Sequence, residues 1–287
     1  MSEPFHLVDA DGWALAVSEF PAHGETRGVV IAGHAMMCNR RSLDRPRGQG
    51  LASTLARAGL HVYSFDARGH GASGPAPAAG GSWRYDDLID HDLPAVTRWV
   101  RRRHQGHRIG LIGHSLIGHA GLLWLGSDPA APIDALVIYA GNLWLPQLEQ
   151  SRLRWARKWA TLWAWELMSR PLGYLPARRL RLGSDDTPLA LVRDFRRWAR
   201  QDRCLRQRDG FDYLAGRARV KQPVLAFVGE RDSLLCVPEC NQRFLDPVPD
   251  HELRQIPGAD HMSLVIDPQS RPVWEQSASW LIAKLDR

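Results

Sequence analysis

Residues 108–121 read RIGLIGHSLIGHAG and place a serine where two different patterns meet. The run at 108–113 is short and apolar, as in a buried strand, and a helix-compatible stretch begins at Leu116. A serine on such a strand-to-helix turn holds its hydroxyl above the sheet edge, with the positive end of the helix beneath it. The pattern predicts that Ser115 is a nucleophile, and an N-cap serine is the simpler alternative.

The turn also needs small residues on both sides of the serine, because strand and helix nearly touch there. Gly113 meets this need. Ile117 stands where the pattern G-x-S-x-G has its second glycine, and Gly118 follows one position later. The spacing in this chain is therefore G-x-S-x-x-G, and we expect Ile117 to affect the detailed geometry of the turn without removing any reacting group.

Apolar runs of strand length alternate with helical patterns along most of the chain. We predict strands at 5–8, 13–20, 28–33, 60–65, 108–113, 133–140, 223–228 and 251–256, and helices at 50–58, 86–104, 116–126 and 272–284. Such alternation is typical of an α/β protein with a mostly parallel, doubly wound sheet and helices on both faces.

Residues 141–220 break this alternation, because they contain helical patterns and no convincing strand. The segment lies between two predicted sheet strands, so we expect a core formed by residues 1–140 and 221–287 and an inserted helical cap at 141–220. Ligands of open α/β sheets bind at the carboxyl ends of the strands. A cap inserted at this point would cover that crevice.

The composition is that of a globular protein, with 287 residues, 44% of them apolar and 24% charged. The N-terminus has no basic region followed by an apolar core, so we expect no signal peptide. No apolar run approaches the roughly 20 residues that cross a bilayer. The four cysteines are scattered, which favours free thiols over a metal site; they are Cys38, Cys204, Cys236 and Cys240. Unpaired cysteines in turn favour a cytoplasmic protein.

The formal net charge is +6, and arginines between residues 152 and 217 supply most of the excess. Binding to nucleic acid is the obvious alternative interpretation of such a cluster. The segment has no zinc-ligand pattern, no aromatic RNP-type motif and no basic tail, so we expect no nucleic-acid partner. We interpret the cluster as a solvated basic face of helices.

Two further polar residues follow strands in the last quarter of the chain. Asp232 lies just past an apolar strand, and His261 lies in the loop after the next one. Taken alone, Asp232 is explained as a turn or N-cap residue and His261 as an exposed loop histidine. Glu230 is a weaker competitor for the role of the carboxylate. Together with Ser115 they give the order serine, aspartate, histidine, which is one known order of a catalytic triad. In such a triad the histidine takes the serine proton and the carboxylate orients the histidine.

With these three residues the chain resembles the α/β-hydrolase superfamily, and most of all its lipase-like and serine-aminopeptidase-like esterase branch. The segment DARGHGAS at 66–73 is similar to the D-x-R-G-x-G-x-S segment that follows a central strand in the family. That segment is structural, since its glycines permit tight turns and Arg68 can hold loops together. The resemblance covers nearly the whole chain except the predicted cap, and it implies the α/β-hydrolase fold.

The resemblance also implies an oxyanion hole in the loop after the strand at 28–33. The family often has His-Gly-x there, and this chain has His34, Ala35 and Met36. The implied donors are the backbone N–H of Met36 or Ala35 and that of Leu116.

The implied activity is a serine hydrolase that cleaves a carboxylic ester of a small apolar substrate through an acyl-enzyme, with no metal or organic cofactor. An acyltransferase or thioesterase with the same acyl-enzyme, or a non-catalytic ligand-binding member of the fold, remains an alternative. The oligomeric state is open.

Tryptophan is abundant, with 12 residues, half of them in the predicted cap region. Trp155, Trp159 and Trp163 recur every four residues and share one helix face. The favoured interpretation is that this face packs on the core. One alternative is an apolar substrate lining formed by Trp144, Trp159 and Trp163. Another is an interfacial helix that contacts an anionic membrane, with basic neighbours facing the lipid head groups, namely Arg154, Arg157 and Lys158.

Overall fold

An eight-stranded sheet runs through the centre of the protein, whose structure, a computed structural model, describes residues 5–286. Across the sheet its strands stand in the order Phe5–Ala10, Trp13–Phe20, Leu60–Phe65, Gly28–Gly33, Ile109–His114, Ala135–Tyr139, Val224–Gly229 and His251–Ile256. Only the two pairs that include Trp13–Phe20 are antiparallel, and all other neighbours are parallel. The predicted mostly parallel α/β sheet is confirmed.

The strands are β1 (Phe5–Ala10), β2 (Trp13–Phe20), β3 (Gly28–Gly33), β4 (Leu60–Phe65), β5 (Ile109–His114), β6 (Ala135–Tyr139), β7 (Tyr174–Leu175), β8 (Thr187–Pro188), β9 (Val224–Gly229) and β10 (His251–Ile256). The helices are α1 (Leu51–Arg57), α2 (Tyr85–Asp87), α3 (Leu93–Arg103), α4 (Leu116–Ser127), α5 (Arg152–Ser169), α6 (Leu189–Gln201), α7 (Tyr213–Gly216), α8 (Pro238–Leu245), α9 (Ser263–Ile266) and α10 (Arg271–Leu285).

Strand β3 shows how the sheet is buried on both faces. Val29 and Ile31 contribute to the apolar core on one side, and Val30 and Ala32 contribute to the core on the other. Successive side chains of a strand point to opposite faces, so a strand covered on both sides must be apolar throughout. Helices α3 and α4 cover the first face, and α1 and α10 cover the second.

The segment 66–73 ties three parts of the sheet edge together. The Asp66 carboxylate accepts hydrogen bonds from the amides of Arg40 (2.7 Å) and Ala72 (2.9 Å), and it also pairs with the Arg40 guanidinium. The Ser73 hydroxyl donates to the Asp66 carbonyl (2.8 Å) and accepts from the amide of Ala16 (2.7 Å). These bonds hold the turn after β4 against β2 and the loop after β3.

The helix predicted at 86–104 is interrupted by a π-turn at 88–92, between α2 and α3. Pro94, in the first turn of α3, has no N–H to donate to the preceding turn, which favours such an irregularity. The turn carries Asp92, which is fully buried and accepts hydrogen bonds from the amide (2.9 Å) and Nε (2.7 Å) of Arg68.

The segment between β6 and β9 is mainly helical, as predicted for residues 141–220. The expectation that it has no strand is wrong, since β7 and β8 form an antiparallel pair of two residues each. Strands this short show no alternating pattern in the sequence. Helices α5 and α6 are joined by an ion pair of Glu166 and Arg196 at 2.6 Å. The Arg196 guanidinium also lies 3.7 Å from the ring centroid of Trp163.

The turn between β5 and α4 accommodates Ile117 because β3 has a glycine beside it. A Cβ added to Gly33 would lie 2.3 Å from Ile117 Cγ2, and Ile117 is fully buried. The close approach of strand and helix is made elsewhere, since a Cβ added to Gly113 would lie 2.2 Å from the backbone nitrogen of Gly118. The second small residue of this turn is therefore Gly118.

Gly33→Ala should destabilise the protein by about 1–3 kcal/mol, because the new methyl group overlaps a confined isoleucine. Ile117→Ala alone should also destabilise it, by leaving a cavity. The double variant should be more stable than the sum of the two single effects predicts, since each change relieves the other. Urea unfolding of the four proteins measures this coupling, and strictly additive effects would contradict the contact.

Candidate active site

Ser115 lies in a strained backbone conformation between β5 and α4, with φ +48° and ψ −103°. Residues with a Cβ rarely adopt this region, and such strain often marks a functional turn. Its amide donates to the Tyr139 carbonyl at 2.8 Å, and its carbonyl accepts from the His119 amide at 3.0 Å. Ser115 occupies the N-cap position of α4, but its side chain makes no capping hydrogen bond. The hydroxyl is therefore not used as a helix cap.

Asp232 and His261 meet at the carboxyl ends of β9 and β10. The Nδ1 atom of His261 lies 2.7 Å from Oδ2 of Asp232. The carboxylate is 5% exposed and also accepts hydrogen bonds from the amides of Leu235 (2.8 Å) and Cys236 (2.9 Å). Glu230, the competing carboxylate, is exposed to solvent.

The pKa of the Asp232 carboxyl lies below its ordinary value. Burial alone would raise this pKa, but the hydrogen bond and charge of His261, together with the two backbone amides, outweigh it. Asp232 is thus an ionised group that accepts the Nδ1 proton of His261. The other ring nitrogen, Nε2, is left as a proton acceptor.

Backbone contacts hold the loop that carries His261 against the end of β9. The amide of Arg231 donates to the Ala259 carbonyl at 2.8 Å, and a Cβ added to Gly229 would lie 2.4 Å from that same oxygen. The Nε2 atom of His114 lies 3.0 Å from the carbonyl oxygen of His261 itself. His114 precedes Ser115, so this contact links the serine turn to the histidine loop. Sequence reasoning missed this contact.

Ser115 and His261 line the same cavity, of about 330 Å³, between the sheet edge and the segment 141–220. Ala35, Met36 and Leu116 line it as well. The rest of the lining is mainly apolar and includes Met37, Trp144, Leu162, Trp165, Leu182, Phe195, Leu235 and Met262. The structure thus brings Ser115, His261 and the predicted oxyanion loop to one apolar cavity, and Asp232 lies against His261.

His34 fixes the direction of the peptide bond between Ala35 and Met36. Its Nε2 accepts from the amide of Ala67 at 3.0 Å, so its Nδ1 carries the proton and donates to the Ala35 carbonyl at 2.8 Å. The N–H of a trans peptide points opposite to its C=O, so the Met36 N–H is turned away from His34. Within residues 5–286, neither this N–H nor that of Leu116 donates a hydrogen bond to the protein.

Of the three tryptophans considered for the cavity, only Trp144 lines it. Trp159 and Trp163 are not among the lining residues in the described part of the chain, whereas Trp165 is. The helix explains this difference, because Trp165 follows Trp163 by two residues and so points to roughly the opposite face. The rings of Trp144 and Trp165 stack at a centroid distance of 5.8 Å.

The interpretation that the face of Trp155, Trp159 and Trp163 packs on the core is wrong. The three rings contact one another along α5, with centroids 6.3 Å apart in each successive pair. Trp163 is 43% exposed, and none of the three belongs to the apolar clusters of residues 5–286.

A second imidazole, that of His119, also lines the cavity. It is 4% exposed, and its Nδ1 lies 2.6 Å from the hydroxyl oxygen of Tyr85. Burial, together with the nearby His261, lowers the pKa of His119 to about 3, which makes it a poor base at neutral pH. One signal for His119 is its position one helical turn after Ser115, which sequence reasoning missed.

Five cations of the basic cluster pair with two glutamates, Glu149 and Glu166. Glu149 lies 2.8 Å from Arg154 and 2.9 Å from Lys158, and Lys158 is only 1% exposed. Burial would raise the pKa of Glu149, but hydrogen bonds from these two cations outweigh it and hold the pKa at about 2. The interpretation as a solvated basic face is therefore wrong for Lys158.

All four cysteines are free thiols. No group of three or more His, Cys, Asp and Glu side chains between residues 5 and 286 is placed to hold a metal ion. The helices of this range all fall short of the length and apolar character needed to cross a membrane.

A family model described as "serine aminopeptidase, S33" matches residues 26–269. The chain belongs to this family. Triacylglycerol lipase 2 of Arabidopsis thaliana is 29% identical over 129 residues, which cover 40% of this chain and 31% of that protein. Gastric triacylglycerol lipase of Bos taurus is 25% identical over 153 residues, which cover 48% and 38%. The chain spans about a third of the length of the curated relatives it matches.

Solved structures share the fold of this family member over nearly its whole length. A soluble variant of monoglyceride lipase from Saccharomyces cerevisiae, in complex with a substrate analog, has a TM-score of 0.73 at 19% identity and covers 99% of this chain and 96% of its own. Est1E from Butyrivibrio proteoclasticus with bound ferulic acid has a TM-score of 0.67 at 16% identity, with coverages of 97% and 98%. The α/β-hydrolase fold and the family resemblance predicted from the sequence are confirmed.

Replacing His114 should change how stability depends on pH. Burial and the nearby His261 hold the pKa of His114 at about 3, against an ordinary value of 6.5. The unfolded chain takes up a proton below pH 6.5 that the folded protein excludes, so His114 lowers stability increasingly as the pH falls from 6.5 towards 3.

In His114→Gln, the free energy of unfolding should therefore fall less steeply as the pH is lowered from 6 to 4.5. The slope should differ from that of the wild type by about 1.4 kcal/mol per pH unit. Urea unfolding at several pH values measures both slopes. Parallel slopes for the two proteins would show that His114 is not held neutral by the fold.

Proposed function

We propose that this protein is a serine hydrolase that cleaves a carboxylic ester of an apolar substrate through an acyl-enzyme. Ser115 is the nucleophile, His261 the general base and Asp232 the residue that orients it. The observation that carries the proposal is the Asp232–His261 hydrogen bond of 2.7 Å, together with the cavity that His261 shares with the strained Ser115.

The geometry supports the following first half-reaction. His261 holds its Nδ1 proton on Asp232, so Nε2 takes the proton of Ser115 as its oxygen attacks the ester carbonyl. The amides of Leu116 and Met36 stabilise the negative oxygen of the tetrahedral intermediate. The protonated His261 then gives its proton to the leaving alkoxide, and the carbon–oxygen bond to the alcohol breaks.

Water completes the reaction by the same groups. His261 takes a proton from water, and the hydroxyl attacks the acyl carbonyl attached to Ser115. The second tetrahedral intermediate releases the carboxylic acid, and the proton returns from His261 to Ser115. The positive charge on the ring is stabilised throughout by the ionised Asp232, whose low pKa keeps it charged at neutral pH.

The cavity lining supports an apolar acyl or alkyl group as the substrate. Apart from the reacting groups, it consists mainly of aromatic and aliphatic side chains, among them the stacked pair of Trp144 and Trp165. We therefore propose that Trp144 and Trp165, rather than Trp159 or Trp163, contact the substrate. The names of the relatives, triacylglycerol lipases among them, agree with an ester substrate.

Ser115→Ala should reduce the turnover of a p-nitrophenyl ester by about 10⁴-fold or more, because the acyl-enzyme cannot form. Asp232→Asn should also lower turnover strongly, since an amide cannot hold His261 in the required tautomer. A fluorophosphonate probe should label the wild type and the control Ser279→Ala, an exposed serine on α10, but not Ser115→Ala.

Two results would contradict the proposal. One is hydrolysis by purified Ser115→Ala protein at the wild-type rate. The other is equal labelling of that variant by the probe, which would place the nucleophile elsewhere.

We further propose that the inserted segment, residues 141–220, acts as a cap and contacts an anionic membrane surface. Its outer surface exposes Leu153 (65%), Leu167 (63%), Leu172 (49%) and Leu182 (49%), and Leu182 also lines the cavity. Exposed arginines lie between these leucines, namely Arg152, Arg157, Arg170, Arg178, Arg179 and Arg181. Apolar side chains flanked by cations are the features that bind a helix to an anionic interface. Lys158 takes no part, because it is buried.

Vesicles that contain phosphatidylserine should sediment the protein, and this binding should weaken as salt screens the arginines. Leu167→Asp should weaken it further, since it places a charge at the apolar contact. The matched control is Leu7→Asp, which changes a leucine of similar exposure (59%) on β1. Binding that is indifferent to lipid charge, or equally weakened by both substitutions, would contradict the proposed surface.

We also propose a cytoplasmic location. The four free thiols support it, since proteins of oxidising compartments tend to use paired cysteines as disulfides.

A further inference from the structure

Two polar side chains in the cavity take no part in the proposed triad. His119 lies one turn along α4 from Ser115, and Asn142 lies just beyond the end of β6. These two backbone segments touch, since a Cβ added to Gly141 would lie 3.2 Å from the His119 amide nitrogen. His119 and Asn142 are thus neighbours in the cavity wall, with exposures of only 4% and 7%.

The contact with Tyr85 determines which nitrogen of His119 carries the proton. Tyr85 is fully buried, and burial raises the pKa of its hydroxyl well above the ordinary value, so it stays protonated. Among residues 5–286, the hydroxyl has one hydrogen-bond partner, which is His119 Nδ1 at 2.6 Å. A buried hydroxyl without an acceptor is unfavourable, so the O–H donates to Nδ1.

His119 is therefore an N–H donor to the cavity. The ring is neutral, because its pKa of about 3 is far below physiological pH. With Nδ1 accepting from Tyr85, the ring proton resides on Nε2. Nε2 donates no hydrogen bond to the part of the protein that the structure describes, and it lies on the opposite side of the ring from Tyr85.

Asn142 supplies a second donor without a partner. Its Nδ2 atom is buried and makes no hydrogen bond within the described residues. Buried amide donors are almost always paired in native proteins, so an unpaired one in a cavity wall points to a ligand atom. An apolar wall surrounds the two donors, and the ring of Phe195 lies 6.2 Å from that of His119.

We infer that His119 and Asn142 form a subsite that donates hydrogen bonds to an uncharged oxygen of the substrate, such as an ether, hydroxyl or carbonyl oxygen. The subsite rests on the proposed ester hydrolysis at Ser115. Among the described residues, the cavity lining contains no lysine, arginine, aspartate or glutamate that would pair with a charged group of a substrate. Substrates without such an oxygen leave the buried Asn142 amide unpaired and are disfavoured.

Matched ester pairs test this subsite. On the acyl side the pair is p-nitrophenyl hexanoate and p-nitrophenyl 3-ethoxypropanoate, and on the alcohol side it is heptyl butyrate and 2-butoxyethyl butyrate. The members of each pair have equal chain length and differ by one ether oxygen. The wild type should prefer the ether in at least one pair by about tenfold in kcat/KM, after correction for the rates of alkaline hydrolysis.

The same ratio in variants assigns the preference to the two residues. It should fall towards one in His119→Phe and in Asn142→Leu, and it should stay at the wild-type value in the control His23→Phe, which changes an exposed histidine. No ether preference in either pair, or a preference that survives both substitutions, would overturn the subsite. If the wild type hydrolyses p-nitrophenyl hexanoate and Ser115→Ala does not, the proposed function holds even when the subsite fails. Absence of Ser115-dependent hydrolysis of all four esters would overturn both.

A second measurement does not depend on activity or on the stability of His119→Phe. In ¹⁵N NMR spectra of the wild-type protein, His119 should be the Nε2–H tautomer. A ring protonated on Nδ1 in the wild type would overturn the subsite, because Nε2 would then accept rather than donate.

Discussion

The close contact between β5 and the first turn of α4 holds Ser115 at the sheet edge, in the cavity that His261 also lines. It exists because neither Gly113 nor Gly118 has a Cβ, and it forces Ser115 into a strained conformation at the sheet edge. The strain is unfavourable by itself, of the order of 1–3 kcal/mol, and persists only when surrounding contacts fix it. Here those contacts are the Ser115–Tyr139 backbone hydrogen bond and the packing of Ile117 against Gly33.

Hydrogen bonds from two buried histidine rings to backbone carbonyls hold loops around Ser115. His34 orients the peptide before Met36, and His114 donates to the carbonyl oxygen of His261. Both histidines are fully buried, and burial lowers the pKa of His34 to about 4 and that of His114 to about 3. They act as neutral hydrogen-bonding groups of fixed geometry, so protonation would disrupt the loops that carry the proposed reacting groups.

The sequence was sufficient for the sheet and for placing Ser115, Asp232 and His261 after its strands, because buried parallel strands are apolar runs and their carboxyl ends converge on one edge. It was not sufficient for contacts between distant segments. The sequence did not explain why Ile117 fits in the serine turn, because its partner Gly33 lies on another strand. Trp165 was overlooked in favour of Trp159 and Trp163, because periodicity shows which residues share a face and not which face meets the cavity. His119 lay within the quoted motif, but its role depends on the distant Tyr85.

A crystal structure of the protein after reaction with a fluorophosphonate would show whether Ser115 is the nucleophile. We expect a covalent bond from phosphorus to Ser115 Oγ, with the phosphoryl oxygen about 3 Å from the amide nitrogens of Met36 and Leu116. His261 Nε2 should lie within hydrogen-bonding distance of Ser115 Oγ, with Nδ1 still on Asp232. Phosphorus bound to another residue, or a His261 ring turned away from Ser115, would overturn the proposed triad.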